Sequence, residues 1–158
     1  MQTYQLKVPP FVFAGAGSIT KIKDILKREH SRAVLVVTDK GVRQAGLCDL
    51  LLKELSKASV SYTICDSLPA EPSYSDIDLL LKDIAAEKVD LIVALGGGSV
   101  MDCAKLLSIL LDAPYSIEDL LKNPSLAMGK KCPVAMIPTT CGTGSEATIN
   151  AIVAVPEE

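Results

Sequence analysis

The chain has no tryptophan, and its aromatic content is two phenylalanines and four tyrosines in 158 residues. Since 49% of the residues are nonetheless hydrophobic, the core has to be aliphatic, built from Leu, Ile, Val and Ala, as in layered α/β proteins. Basic residues are not in excess: 16 Lys and Arg stand against 19 Asp and Glu. No basic stripe is available to follow a phosphate backbone, so nucleic acid is not an expected partner. One histidine, His30, cannot build a two- or three-histidine metal centre. The five cysteines (Cys48, Cys65, Cys103, Cys132 and Cys141) are odd in number and contain no C-x-x-C pair, which fits reduced, mostly buried thiols in a reducing compartment. Apolar runs stop at strand length, short of the roughly 20 residues of a membrane span. Met1 to Phe13 lacks the basic start and long apolar stretch of a secretory signal. The expectation is a cytoplasmic protein with no membrane partner.

What is present alternates between two periods. Residues 33–38 (AVLVVT), 60–65 (VSYTIC), 91–95 (LIVAL) and 133–137 (PVAMI) are short, β-branched-rich runs of strand length. Near-continuous apolar character is what strands covered on both faces require. Between them, Ile77, Leu80, Leu81 and Ile84 make a helical stripe within 76–87, and 18–29, 46–57 and 99–111 also read as helices. A short helix is expected around 117–122. Alternation of strand and helix implies right-handed βαβ units and a doubly wound, mostly parallel, Rossmann-like sheet with helices on both faces. The length suits one domain, 1–158. Residues 147–155 (ATINAIVAV) read as a strand and Pro156-Glu157-Glu158 as the opening of a turn. That pattern, a hairpin begun and not returned, predicts a chain truncated near the end of its domain.

Two loops carry chemistry. Gly96-Gly97-Gly98-Ser99 follows the strand LIVAL and opens the helix SVMDCAKLLSILL. A helix N-terminus offers unpaired N–H groups and partial positive charge, and glycines let the backbone approach a pyrophosphate. A plain glycine turn would not need three glycines in succession. Pro138-Thr139-Thr140-Cys141-Gly142-Thr143-Gly144-Ser145-Glu146 follows another strand. In a parallel sheet both loops lie at the carboxyl edge, where ligands bind. Asp39 ends the run VLVVT at the same edge. It reads either as an acceptor for ribose hydroxyls that repels a 2′-phosphate, favouring NAD over NADP, or as a helix cap. Gly15-Ala16-Gly17-Ser18, after the strand-like FVFA, lacks the third glycine of a dinucleotide fingerprint and reads as a structural turn.

The pairing of GGGSVMDCAK (96–105) with IPTTCGTGSEATIN (137–150) resembles the signature of iron-containing (group III) alcohol dehydrogenases, and the likeness extends through FAGAGSI and VTDKG. The resemblance implies an N-terminal α/β domain that binds NAD(P). It also implies an all-helical C-terminal domain, absent from this chain, whose aspartate and histidines hold Fe²⁺ or Zn²⁺. By resemblance, Gly97, Gly98 and Ser99 hold the pyrophosphate, Thr139, Thr140 and Thr143 surround the adenine-side ribose and phosphates, Asn150 lies near the cofactor, and Asp39 sets a preference for NAD. Two positions depart from the family: Glu71-Pro72 stands where Asn-Pro is usual, and Cys141 where a small residue is usual. The function implied is the NAD-binding portion of a metal-dependent dehydrogenase that interconverts a small primary alcohol or diol and its aldehyde or ketone. Without metal ligands the chain alone is expected to be inactive, and apolar surface left uncovered is expected to favour a homo-oligomer. Alternatives are a non-catalytic nucleotide-binding module, a glycerol or polyol dehydrogenase or dehydroquinate synthase relative, and, last, a thiol-redox role for Cys141.

Overall fold

The computed structural model describes residues 9–128 and 131–155. A 3₁₀ turn at Ser18–Lys21 leads into α1 (Ile22–Arg28), followed by β1 (Ala33–Val37), α2 (Lys40–Gln44), α3 (Asp49–Lys57) and β2 (Ser61–Cys65). Then come α4 (Tyr74–Asp83), β3 (Leu91–Gly96), α5 (Gly98–Leu110), α6 (Ile117–Lys122), a 3₁₀ turn at Pro124–Met128 and β4 (Val134–Pro138). The strands form one four-stranded sheet in the order β2-β1-β3-β4, and every pairing is parallel.

The two central strands, β1 and β3, behave as parallel strands covered on both faces must. Along β3 all residues from Leu91 to Gly96 are buried. Leu35, Val37, Ile92 and Ala94 point to one face and pack against Ile77 and Leu80 of α4 and Met101 and Leu107 of α5. Val34, Val36, Leu91, Val93 and Leu95 point to the other, against Ile22 and Leu26 of α1 and Leu51 and Leu55 of α3. Each Val, Leu, Ile or Met side chain among these, fully buried, contributes about 1.5–3 kcal/mol. The outcome is three layers with the helices divided between two faces.

Helix starts follow capping chemistry. Ser73 and Asp76 form a reciprocal capping box that begins α4 at Tyr74, two residues before the apolar stripe alone would place it. Ser116 and Asp119 do the same for α6, within the expected 117–122. The helix expected over 46–57 starts at Asp49, because the chain first turns through the separate short α2, which Asp39 caps.

Two expectations fail. FVFA (11–14) joins no sheet. Phe11 instead lies under the Arg28 guanidinium, 3.9 Å from ring centroid to charge, an arrangement favoured by the ring quadrupole. Residues 147–155 form no strand either. They contain a turn and irregular backbone, with one isolated bridge from Ala154 to Ser73. Their backbone groups are taken elsewhere: the Ile152 N–H donates to Asp102, the Ala154 N–H to the Pro72 carbonyl, and the Asn150 carbonyl accepts from Lys105. Backbone groups so engaged are not available for a ladder. The turn expected at Pro156 to Glu158 lies outside the described residues. No helix among the described residues is long and apolar enough to cross a membrane.

Candidate functional site

The strand order decides where a ligand can enter. From β1 the chain passes through α3, on one face, to β2; from β3 it passes through α5, on the other face, to β4. The two connections diverge between β1 and β3, which leaves a crevice at the carboxyl ends of those strands. Asp39 stands at one lip, just beyond β1, and Gly97, Gly98 and Ser99 at the other. Thr38 ties the lips together, donating from Oγ1 to the Leu95 carbonyl at 2.8 Å while fully buried.

The α5 N-terminus faces this edge without a side-chain cap. Gly97 is the cap residue, no side chain bonds to the first-turn amides, and the first turn carries no acidic residue. The free N–H groups and the helix dipole therefore present positive potential where an anion would sit. The Pro138–Ser145 loop comes directly against it. Its start is pinned by the Thr139 N–H donating to the Gly96 carbonyl at 2.9 Å. A Cβ added to Gly97 would lie 3.3 Å from Thr140 Oγ1, and one added to Gly98 would lie 3.2 Å from Thr143 Cγ2 and 3.3 Å from Ser145 Oγ. The glycines thus make room for the neighbouring loop. At Gly96 a Cβ would meet Val100 at 2.7 Å, so no larger residue fits. Gly142 and Gly144 adopt φ of 100° and 69°, a region costly for any residue with a side chain, so the loop depends on glycine there.

Asp39, Gly97, Gly98, Ser99, Thr139, Thr140 and Thr143 lie at the carboxyl ends of the strands. Thr139, Thr140 and Thr143 are exposed on the loop, and Ser145 is buried beneath it. Asp39 meets its capping reading. Oδ1 accepts from the Val42 N–H at 2.9 Å and caps α2, and only its other oxygen is uncommitted among these bonds. Asn150 lies farther along the chain, exposed, with its carbonyl held by Lys105 Nζ at 2.6 Å. Glu71-Pro72 approaches the same segment through the Pro72 carbonyl. Gly15 to Ser18 is the turn expected of it, with the Ser18 N–H donating to the Gly15 carbonyl at 3.1 Å.

Sequence reasoning missed Asp102 and Lys105. Both are buried on α5 and paired at 2.8 Å. The signal was present, as opposite charges three residues apart inside the otherwise apolar helix SVMDCAKLLSILL. The thiols offer little. Burial raises the Cys103 and Cys65 thiols above their ordinary range, which keeps them protonated and poor nucleophiles. Among the described residues no three of His, Cys, Asp and Glu come together as a metal donor set.

The profile of the family described as iron-containing alcohol dehydrogenase matches residues 9–158. An alcohol dehydrogenase of Thermococcus barophilus is 35% identical over 152 residues, covering 92% of this chain and 39% of that protein. The crystal structure of an iron-containing alcohol dehydrogenase from Thermotoga maritima superposes with a TM-score of 0.87 at 33% identity, covering 98% of this chain and 43% of that one. A sulfoacetaldehyde reductase from Bifidobacterium kashiwanohense, solved in complex with NAD⁺, superposes with a TM-score of 0.84 at 27% identity, covering 98% and 41%. The chain therefore spans about two fifths of the length of the relatives it matches.

Proposed function

The chain belongs to the iron-containing alcohol dehydrogenase family, and we propose that it is the NAD-binding portion of a dehydrogenase interconverting a small primary alcohol or diol and its carbonyl product. One observation carries this reading: the uncapped N-terminus of α5, walled by Thr140 and Thr143, opens at the switch point opposite Asp39. In this reading the pyrophosphate accepts hydrogen bonds from the amides of Gly97, Gly98 and Ser99. Thr139, Thr140 and Thr143 supply hydroxyls to the adenine-side ribose and phosphates. The uncommitted Asp39 oxygen accepts from ribose hydroxyls, and its charge opposes the 2′-phosphate of NADP.

When bound, the nicotinamide supplies the hydride acceptor. The chain's own residues bind and orient it. Fe²⁺ or Zn²⁺, implied by the family, would have to polarise the alcohol oxygen, and the described residues do not furnish its donors. We therefore assign no proton or metal step to this chain and expect no useful alcohol oxidation from it alone. The reading also takes 1–158 as one cofactor domain, in a cytoplasmic protein. Exposed Met128, Ile149, Ile152 and Val155 support self-association into a homo-oligomer.

Calorimetric titration of the chain with NAD tests the assignment. Micromolar to millimolar binding that adding free pyrophosphate competes away is expected. No heat up to about 10 mM, a concentration well above typical cofactor affinities, would overturn it.

A further inference from the structure

The segment from Thr148 to Ala154 is irregular, yet it is held at several points. Lys105 Nζ donates to Asp102 Oδ1 at 2.8 Å, to the Asn150 carbonyl at 2.6 Å and to Thr148 Oγ1 at 3.2 Å. Asp102 Oδ2 in turn accepts from the Ile152 N–H at 3.2 Å. Two residues on, Ala154 exchanges backbone bonds with Pro72 and Tyr74 at the start of α4, at 3.0 and 3.2 Å. The strap thus runs from α5 to the α4 N-terminus along the carboxyl edge, and Asn150 sits in its middle, exposed.

The charged pair is expensive unless it has a task. Both side chains are only 9% exposed, and a buried ion pair is often no more stabilising than apolar residues of the same volume. Here the pair directs its remaining bonds to one segment, two to backbone groups (the Asn150 carbonyl and the Ile152 N–H) and one to Thr148 Oγ1. α5 carries the glycine loop at its N-terminus and Asp102 and Lys105 in its first two turns. A tether from those turns therefore fixes the distance between Asn150 and the phosphate-binding amides through one rigid helix.

We propose that Asp102 and Lys105 are positioning residues that hold Asn150 at the nucleotide edge in register with the Gly97–Ser99 amides. This rests on the nucleotide reading above and deepens it. The pair touches no cofactor; it acts through the strap. Asn150 is the residue through which its effect reaches the ligand.

The test is a double-mutant cycle on the whole chain. NAD affinity is measured for the wild type, Asn150→Ala, the double variant Asp102→Asn/Lys105→Met, and all three substitutions together. Removing both charges at once leaves no unpaired buried charge, so the double variant is the one expected to fold, and its melting curve checks that. The expected result is about tenfold weaker binding for Asn150→Ala and for the double variant, with the triple variant no weaker than either. Losses that multiply in the triple variant, or a double variant that binds like wild type, would overturn the proposal. Amide hydrogen exchange without ligand adds a readout independent of NAD: protection at Ile152 and its neighbours should fall at least tenfold in the double variant, with β1 and β3 unchanged. Unchanged protection at 148–154 would also overturn it. Gly98→Val separates the two levels. If that variant binds NAD normally, the nucleotide reading itself fails, whereas normal binding by the double variant beside a defective Gly98→Val defeats only the positioning role.

Discussion

The two ends of the sheet make opposite offers to an anion. At the amino edge of β1 and β2 a concavity of about 480 Å³ is lined by Lys23, Lys27, His30, Arg32 and Lys57. At the carboxyl edge the lips carry glycines, threonines and Asp39, and the α5 first turn holds no charged residue. Side-chain charge favours the first place and backbone geometry the second. The basic concavity lies where α1 and α3 end, so its cations already face helix C-terminal carbonyls and the negative ends of two dipoles. Two of them, Lys23 and Lys57, hold the buried Glu54 at 2.7 Å each. The carboxyl edge has no such creditor on its positive potential, because nothing caps α5. A count of cations thus favours the amino edge, and the orientation of the helices favours the carboxyl edge on which the nucleotide reading rests.

The comparison can be broken most sharply at Gly98. Valine there would meet Thr143 and Ser145 and obstruct the amides, so NAD affinity should fall on the order of 10- to 100-fold, equivalent to a clash of roughly 1–3 kcal/mol. Isothermal titration of a variant with a wild-type melting temperature measures this, and unchanged affinity would remove the phosphate site from α5.

Next is the charge at Asp39. Asp39→Asn keeps an Oδ1 acceptor for the Val42 N–H and removes only the charge, which a glycine substitution would confound with the loss of the α2 cap. The ratio of NADP to NAD affinity should rise about tenfold. A ratio that stays put would assign Asp39 to capping alone.

At the amino edge the effect is on stability instead. Hydrogen bonds from Lys23 and Lys57 hold the Glu54 carboxyl down to about 2, against an ordinary value of 4.5. Because the folded state lowers this pKa, its contribution is fully present above about pH 4.5 and is lost as pH falls toward 2. Thermal melts of the wild type should therefore drop more steeply across that window than those of Glu54→Gln. Parallel curves would mean the ion pairs are not formed in solution.

Smallest of all should be the effect of the free cations on the ligand. Replacing Lys27 and Arg32 together by alanine should alter NAD affinity by less than about twofold, as for surface changes remote from a site. A larger loss would show that the basic concavity, not the switch point, receives the phosphates.

Much of this was readable in the sequence. The four strands lie within a residue of the runs that announced them: the central β1 and β3 are buried on both faces and therefore apolar throughout, while the edge strands β2 and β4, only partly buried, are marked by their β-branched residues. The glycine loop was legible because strand, glycines and helix are consecutive, so their geometry is local. Asp39 was legible only as an even choice, and its capping of α2 does not exclude a ribose. The segment 147–155 misled, since its alternating apolar residues look like a strand wherever a partner strand is available.

The sequence by itself determined the layer class, the parallel sheet and the loops that reach its carboxyl edge, because these follow from local period and chain order. Only the tertiary structure decided that Gly98 lies against Thr143, that Asp102 and Lys105 turn inward to hold 148–152, and that residues 147–155 are a strap and not a strand. Those outcomes depend on contacts between residues more than forty positions apart. No local propensity encodes which distant backbone group a buried lysine will find.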